Sequence, residues 1–277
     1  MIDLVFCGNE KVFDGILTAL LSIAMRDPGK DAYRVTVLTM DLTRRKPDYT
    51  PISDRLCAFL DKVLKTYNPG SSVRKVDVTD LYEEHLGHGP NENTYVSPYA
   101  LLRLLIDLVP GFDHRVLYLD VDLFFNRDIH LLYDYPIDKV EYAAANDHYG
   151  KFLINPRYIN SGVILFNLDR CRETNLLGKA RKMVATKKLM FPDQSAIYKC
   201  TTRKKLLPPK YNDQKFLHKK STIVRHFSKR LFWLPYPHTA NIKQWMVDDV
   251  HRIFRYHVWD DVYEEYFRLK AEYEKGE

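Results

Sequence analysis

The sequence predicts an α/β fold built on a mainly parallel sheet flanked by helices, and three observations carry that expectation. Short apolar runs of strand length alternate with stretches of a dozen or so residues whose apolar positions recur at helical spacing. The chain has 277 residues, 45% of them hydrophobic and 13% aromatic, which is enough for one sizeable core. No stretch approaches the ~18 uncharged apolar residues of a membrane span. Disordered, coiled-coil and membrane-spanning classes are thereby set aside.

Taken in order, Ile2 to Cys7 is a continuous apolar run that reads as a strand. Gly8-Asn9 breaks it, and Phe13, Ile16, Leu17, Leu20 and Leu21 follow at helical spacing. Val35 to Met40 is the second strand. Thr50-Pro51 then opens a helix with Ile52, Leu56, Phe59, Leu60, Val63 and Leu64 on one face. Ser72 to Val78 is the third strand. Ser97-Pro98 is an N-cap and N1 pair ahead of Leu101, Leu102, Leu104, Leu105 and Leu108, and Pro110-Gly111 stops that helix. The fourth strand, Arg115 to Leu119, ends at Asp120; Tyr142 to Ala145 and Gly162 to Asn167 extend the sheet. Leu168 to Ala185 and Gln194 to Lys199 read as helices, the second after Pro192. Beyond residue 203 the chain looks irregular, until Val262, Tyr266, Leu269 and Tyr273 mark a closing amphipathic helix.

The net charge of +6 is unevenly spread. Between Arg203 and Arg230 ten basic residues face Asp213 alone, a local charge of +9, so the rest of the chain carries −3. Cys7, Cys57, Cys171 and Cys200 form no C-x-x-C pair, which argues against a disulfide framework or a structural zinc site. Cys7 and Cys57 lie in apolar runs and read as buried thiols. The start, Met1-Ile2-Asp3-Leu4-Val5-Phe6, has no basic n-region, so a cytoplasmic location is expected.

Ligands of open α/β sheets bind beyond the carboxyl ends of the strands. Cys7, Gly8 and Asn9 follow the first strand here, Asp120-Val121-Asp122 the fourth and Asn146-Asp147-His148 the fifth. Neither G-x-G-x-x-G nor G-x-x-x-x-G-K-[ST] occurs, which counts against a nicotinamide dehydrogenase or a P-loop phosphotransferase. Alternation at a strand end can bring Asp120 and Asp122 to one side of their loop. Two hard oxygen ligands there suit Mg²⁺ or Mn²⁺ completed by substrate phosphates. The spacing alone is equally that of a surface turn. What favours the cation is the apolar sequence on both sides, because carboxylates between buried segments are costly unless paired or solvated.

The run Val116-Leu117-Tyr118-Leu119-Asp120-Val121-Asp122, then Tyr158-Ile159-Asn160-Ser161-Gly162-Val163-Ile164-Leu165-Phe166-Asn167, then Pro192-Asp193-Gln194, resembles the family 8 retaining glycosyltransferases, which include glycogenin and lipopolysaccharide galactosyltransferases. The resemblance covers about residues 1 to 230. It implies the GT-A fold, a Rossmann-like sheet with helices on both sides, a UDP-sugar donor and Mn²⁺ or Mg²⁺. It further implies that Asp120, Asp122 and His226 hold the metal, and that Cys7, Asn9, Arg103, Val121 and Asp147 line the nucleotide-sugar pocket. Asn160, Asp193 and Gln194 would act on the sugar, Asp193 being the candidate nucleophile for a covalent route; a same-face internal return is the other route. After the histidine the family commonly has a Lys-Pro-Trp element that clamps the diphosphate, where this chain reads Ser228-Lys229-Arg230-Leu231-Phe232-Trp233-Leu234-Pro235. Lys229 and Arg230 are the candidates for that clamp.

The expected organisation is therefore a transferase domain over 1–230 and a C-terminal aromatic and helical extension over 231–277, with a basic elaboration near its start. A glycan, glycoprotein or lipid-linked molecule is the expected acceptor. The basic segment, with Phe232, Trp233, Tyr236 and Trp245, also fits peripheral contact with an anionic inner membrane face. Two other classes remain. A nucleic-acid-binding protein would use residues 203–230 with Tyr211, Phe216 and Phe227, but no recognised motif accompanies that charge, and no nucleic acid is expected. A haloacid-dehalogenase-like phosphatase also carries Asp-x-Asp after a strand, but usually near the N-terminus and with Thr or Val where Phe124 stands.

Overall fold

The computed structural model describes residues 1–94, 97–215, 219–232 and 236–276. Its strands are β1 (Ile2–Cys7), β2 (Tyr33–Thr39), β3 (Ser72–Asp77), β4 (Arg115–Leu119), β5 (Leu123–Phe125), β6 (Tyr142–Asn146), β7 (Ile159–Asn167), β8 (Lys204–Leu207), β9 (Val224–His226), β10 (Arg230–Phe232) and β11 (His238–Ala240). The α-helices are α1 (Phe13–Ala24), α2 (Asp54–Tyr67), α3 (Thr79–His85), α4 (His130–Tyr133), α5 (Gly150–Leu153), α6 (Leu168–Thr174), α7 (Leu176–Thr186), α8 (Pro192–Cys200), α9 (Val247–Phe254) and α10 (Asp260–Lys275).

Seven strands form the central sheet in the order β3-β2-β1-β4-β7-β6-β8. The first four are mutually parallel, β7 runs antiparallel to both β4 and β6, and β8 pairs parallel with β6. Period-two alternation sends Leu4 and Phe6 of β1 to one face, with α1, α2, α9 and α10, and Val5 and Cys7 to the other, with α6 to α8. Each fully buried Leu or Phe in these two layers contributes on the order of 1.5–3 kcal/mol by removal from water.

Several boundaries depart from the sequence reading for identifiable reasons. Residue 52 is held extended by its N–H donating to Thr39 Oγ1 (2.9 Å), so α2 starts from Ser53, whose Oγ accepts from Leu56 N (3.2 Å). Pro98–Leu108 is a 3-10 helix, not an α-helix: nearly all its residues are buried between the sheet and α7 and α8, so packing on both faces outweighs propensity. The helix expected over 168–185 breaks at Asn175, which is left-handed at φ 51°, giving α6 and α7. The basic segment supplies β8 and β9 where an irregular chain was expected. Cys7, Cys57 and Cys171 are buried free thiols.

The C-terminal helices pack on α1. Tyr266 Oη donates to Asp14 Oδ1 (2.7 Å), Arg26 forms a bidentate pair with Asp261, and Trp259 stacks on Phe124 at 4.2 Å between centroids. Phe232 stacks on Phe254 and half-buried Trp245 packs against the core, so of the rings proposed for membrane contact Tyr236, 66% exposed, is the outward one among the described residues. Trp233 and Phe216 lie outside the described residues. Among the described residues no helix is long and apolar enough to cross a membrane.

Candidate active site

Strand order reverses direction between β1 and β4: β2 and β3 extend the sheet on one side, β7, β6 and β8 on the other. Ligands of open sheets bind outside such a switch point. A cavity of about 910 Å³ opens there, beyond Cys7 and Leu119. Of the residues singled out from the sequence, Cys7, Asn9, Arg103, Asp120, Val121, Asp122, Asp147, Asn160, Gln194, His226 and Lys229 line it. Asp193 is not among the lining residues.

Pairing of β5 with β9 sets Leu123 opposite His226, which carries the imidazole to the Asp-x-Asp loop. His226 Nε2 lies 3.1 Å from Asp122 Oδ1 and 3.8 Å from Asp120 Oδ2. One ligand atom from each of the three residues falls within 4.8 Å of the others. The ring is oriented from behind: Asn212 Nδ2 donates to Asn160 Oδ1 (2.8 Å), which turns Asn212 Oδ1 toward His226 Nδ1 (3.0 Å). Nε2 is thus the nitrogen presented to the carboxylates. Two carboxylates and an imidazole nitrogen are a hard, mixed O/N donor set that fits Mn²⁺ or Mg²⁺. Burial alone would push the Asp122 carboxyl up, but His226 and Lys243 beside it outweigh that and hold it well below the usual carboxylate range.

Arg103 is a buried hub. It donates through Nη2 to Asp120 Oδ1 (2.8 Å), through Nε to Ala100 O (2.8 Å) and through Nη1 to Ser161 O, and it stacks over Tyr118 at 4.3 Å. Its Nε is also 3.2 Å from Asp193 Oδ2. Arg103 borders the cavity as expected, with each of its three nitrogens also donating within the protein. Asp193 stands behind the cavity wall: its carboxylate is 4% exposed, and its Oδ2 accepts from Ser161 Oγ (2.9 Å) and faces Arg103. Gln194 does line the cavity, its Oε1 fixed by Ser161 N (3.0 Å).

Asn9 and Asp147 are partly committed too. Asn9 Oδ1 caps Lys11 N (3.2 Å), and Asp147 accepts from the N–H groups of Tyr149 and Gly150 and from Asn160 Nδ2 (3.0 Å). Lys229 is exposed at the cavity wall, whereas Arg230 is drawn away over the Phe254 ring at 4.8 Å.

Sequence reading missed Lys243 and Gln244, and gave Trp245 to membrane contact where it borders the cavity. Lys243 Nζ donates to Asp122 Oδ2 and to Phe227 O (3.1 Å). Buried Gln244 donates to Val121 O (2.8 Å) and Thr18 Oγ1 (3.2 Å), and Trp245 lines the cavity beside Gly15. The overlooked signal was Lys243-Gln244-Trp245 itself, a Lys-x-Trp run that lies beyond the β10–β11 hairpin and not directly after His226.

The family model described as Glycosyl transferase family 8 matches residues 4–231. Among solved structures, the chain is similar to the bifunctional glycosyltransferase WbbM (19% identity, TM-score 0.65), covering 83% of this chain and 46% of that one. The galactosyltransferase LgtC in complex with donor and acceptor sugar analogues matches with 18% identity and TM-score 0.60 over 81% of this chain and 86% of that one. The glycosyltransferase GlyE of Streptococcus pneumoniae TIGR4 matches with 17% identity and TM-score 0.62, covering 97% and 64%. The chain thus spans just under half the length of WbbM. No curated protein sequence matches significantly.

Proposed function

Because this chain belongs to glycosyltransferase family 8, we propose that it is a retaining, divalent-metal-dependent hexosyltransferase. It moves glucose or galactose from a UDP-sugar to a glycan, glycoprotein or lipid-linked acceptor. The observation that carries this reading is the convergence of Asp120, Asp122 and His226 on one point of the switch-point cavity.

Mn²⁺ or Mg²⁺ held by those three residues would stabilise the charge that develops on the departing diphosphate, with no proton transfer required. Lys243 and Lys229 supply further positive charge at the same wall, and such preorganised cations act where charge appears in the transition state. Gln244 holds Val121, the residue between the two carboxylates, so the loop keeps its shape as the donor enters. The carboxylates among the described lining residues are Asp120, Asp122 and Asp147. Asp147 caps α5 and is tied to Asn160, and Asp193 is paired with Arg103. Among the described lining residues no carboxylate stands without a partner, which supports same-face return with Gln194 beside the anomeric centre.

The test is a panel of nucleotide sugars incubated with the protein and Mn²⁺, with and without chelator, read as nucleotide release and as the anomeric configuration of the product by proton NMR. Release from a UDP-hexose that needs the metal and keeps the configuration is the expected result. No release from any donor, or an inverted product, overturns the proposal.

A further inference from the structure

The basic residues of 203–230 do not form one face. Arg225 is fully buried against Asp213, Arg230 covers Phe254 and Lys229 borders the switch-point cavity. Arg203 and Lys204 join Arg157 elsewhere, around a second concavity of about 400 Å³ that is also lined by Tyr198, Thr201 and Thr202.

We propose that this second concavity is a binding subsite for a phosphate group, separate from the cavity of Asp120 and His226. Among the described residues no carboxylate lies within 4.0 Å of the Arg157, Arg203 or Lys204 side-chain nitrogens. Glu141, the acidic group beside them, is 1% exposed and already saturated: its oxygens accept from Thr201 Oγ1, Thr202 N (2.9 Å), Thr202 Oγ1 (2.9 Å) and Arg203 N (3.0 Å). Three cations therefore face one hollow without a direct ion-pair partner, the Glu141 charge acting on Lys204 only from beneath. Burial and the neighbouring Arg157 hold the Lys204 ammonium below the usual lysine range, as expected where like charges crowd.

The frame is rigid without a ligand. Lys204 is held in register with Tyr142 by β6–β8 pairing, its ammonium sits 4.6 Å from the Tyr198 ring centre, and Glu141 fixes the three residues before it. Such preorganisation lowers the ordering cost of binding. Guanidinium groups offer paired N–H donors that match phosphate oxygens, and the volume admits a phosphate with a glycerol or a sugar attached. Phosphate could come from a soluble phosphorylated saccharide or from a phospholipid headgroup. The second source is open because Phe152, 76% exposed, lies just before Asn155, which also lines the hollow; Leu153, 81% exposed, borders the switch-point cavity instead. Nothing in this subsite uses Asp120, Asp122, His226 or Lys243, so it stands whether or not the donor assignment does.

The experiment is calorimetric titration of the full chain, its switch-point cavity filled with UDP and Mn²⁺, with glycerol 3-phosphate, and flotation with phosphatidylglycerol or phosphatidylcholine vesicles. The combined variant Arg157→Gln, Arg203→Gln, Lys204→Gln is the comparison, with its melting temperature as a control for folding. Binding of either phosphate probe that falls about tenfold or more in the variant, with melting unchanged, is expected. Flotation with phosphatidylglycerol alone assigns the lipid source; titration by glycerol 3-phosphate alone assigns the soluble one. Should Lys243→Ala abolish binding while the combined variant keeps it, or should neither probe bind, the proposal fails and the three cations serve only to guard the edge strand β8.

Discussion

Gly162 sits where the metal assignment can be tested by adding one methyl group. A Cβ at this position would lie 2.3 Å from His226 Cε1, 2.7 Å from Asp120 Oδ2 and 2.9 Å from His226 Nδ1. Ordinary contact begins near 3.4 Å, so the ring must retreat by about 1.1 Å, from 2.3 to 3.4 Å, and the carboxylate by about 0.7 Å. The ring has no room, His226 being 4% exposed, paired through β9 and bound to Asn212; Asp120, held at Oδ1 by Arg103 and Tyr118, gives way only by turning Oδ2 away from the histidine into the cavity. Metal sites tolerate ligand displacements of only about 0.2 Å. Gly162→Ala is therefore expected to weaken Mn²⁺ binding by about 10- to 100-fold or more, at an overpacking cost of roughly 1–3 kcal/mol in stability. Mn²⁺ titration followed by electron paramagnetic resonance, beside a thermal melt, reads both quantities. A variant that melts lower and yet binds Mn²⁺ as tightly as the parent would refute the placement of Asp120 and His226 on the metal.

Asp122→Asn should abolish metal-dependent turnover and also lower stability by roughly 2–4 kcal/mol, because Lys243 loses a buried counter-charge; a chemical denaturation midpoint equal to the parent's would contradict this. Gln244→Ala frees Val121 O without touching a ligand, and is expected to cut the turnover number about tenfold while the folded fraction stays constant, so undiminished turnover would show that the loop needs no such support. Glu141→Gln bears on pH. Burial pushes this carboxyl up, but the hydroxyl and backbone N–H donors around it outweigh that and hold it below its ordinary value of 4.5. Its contribution is thus present above pH 4.5 and lost as pH falls through the lowered value, so the variant should be less stable at pH 7 with the gap closing on acidification. Melting curves from pH 7 down to pH 3 check it, and a gap that does not change with pH excludes the ionised role.

Strands β1, β2, β4 and β7 were legible because each is an apolar run closed by Gly, Asn or Asp, and the residues after β1 and β4 pointed to the ligand side; that β7 is antiparallel and brings its beginning there was not. Asp120 and Asp122 were legible for the same reason. What pattern could not supply was commitment. Arg103 and Asp193 carry the residue types of a donor site, yet their charges cancel each other inside the wall, a relation between residues 90 positions apart that no local spacing encodes. The break at Asn175 was hidden because an amide that tolerates the left-handed region does so without interrupting the apolar period. Lys243 escaped because the motif was sought directly after His226, whereas the β10–β11 hairpin intervenes. The charge run of 203–230 read as one surface, although Arg225 lies in the core and Lys229 in the cavity.

The strap formed by Lys243, Gln244 and Trp245 ties the order of chain synthesis to the competence of the site. Asp122 and Lys243 are 121 positions apart, and Gln244 reaches Gly15 across 229. Contacts this remote close late, because the loop entropy must be spent before they return anything. While the ribosome is still short of residue 243, the Asp-x-Asp loop has its strand, its histidine and Arg103 on Asp120 but lacks Lys243 opposite Asp122, leaving that carboxylate with the imidazole alone. At that stage every strand of the central sheet has been made while Asp122 still lacks its lysine, and residue 243 brings the balance with it.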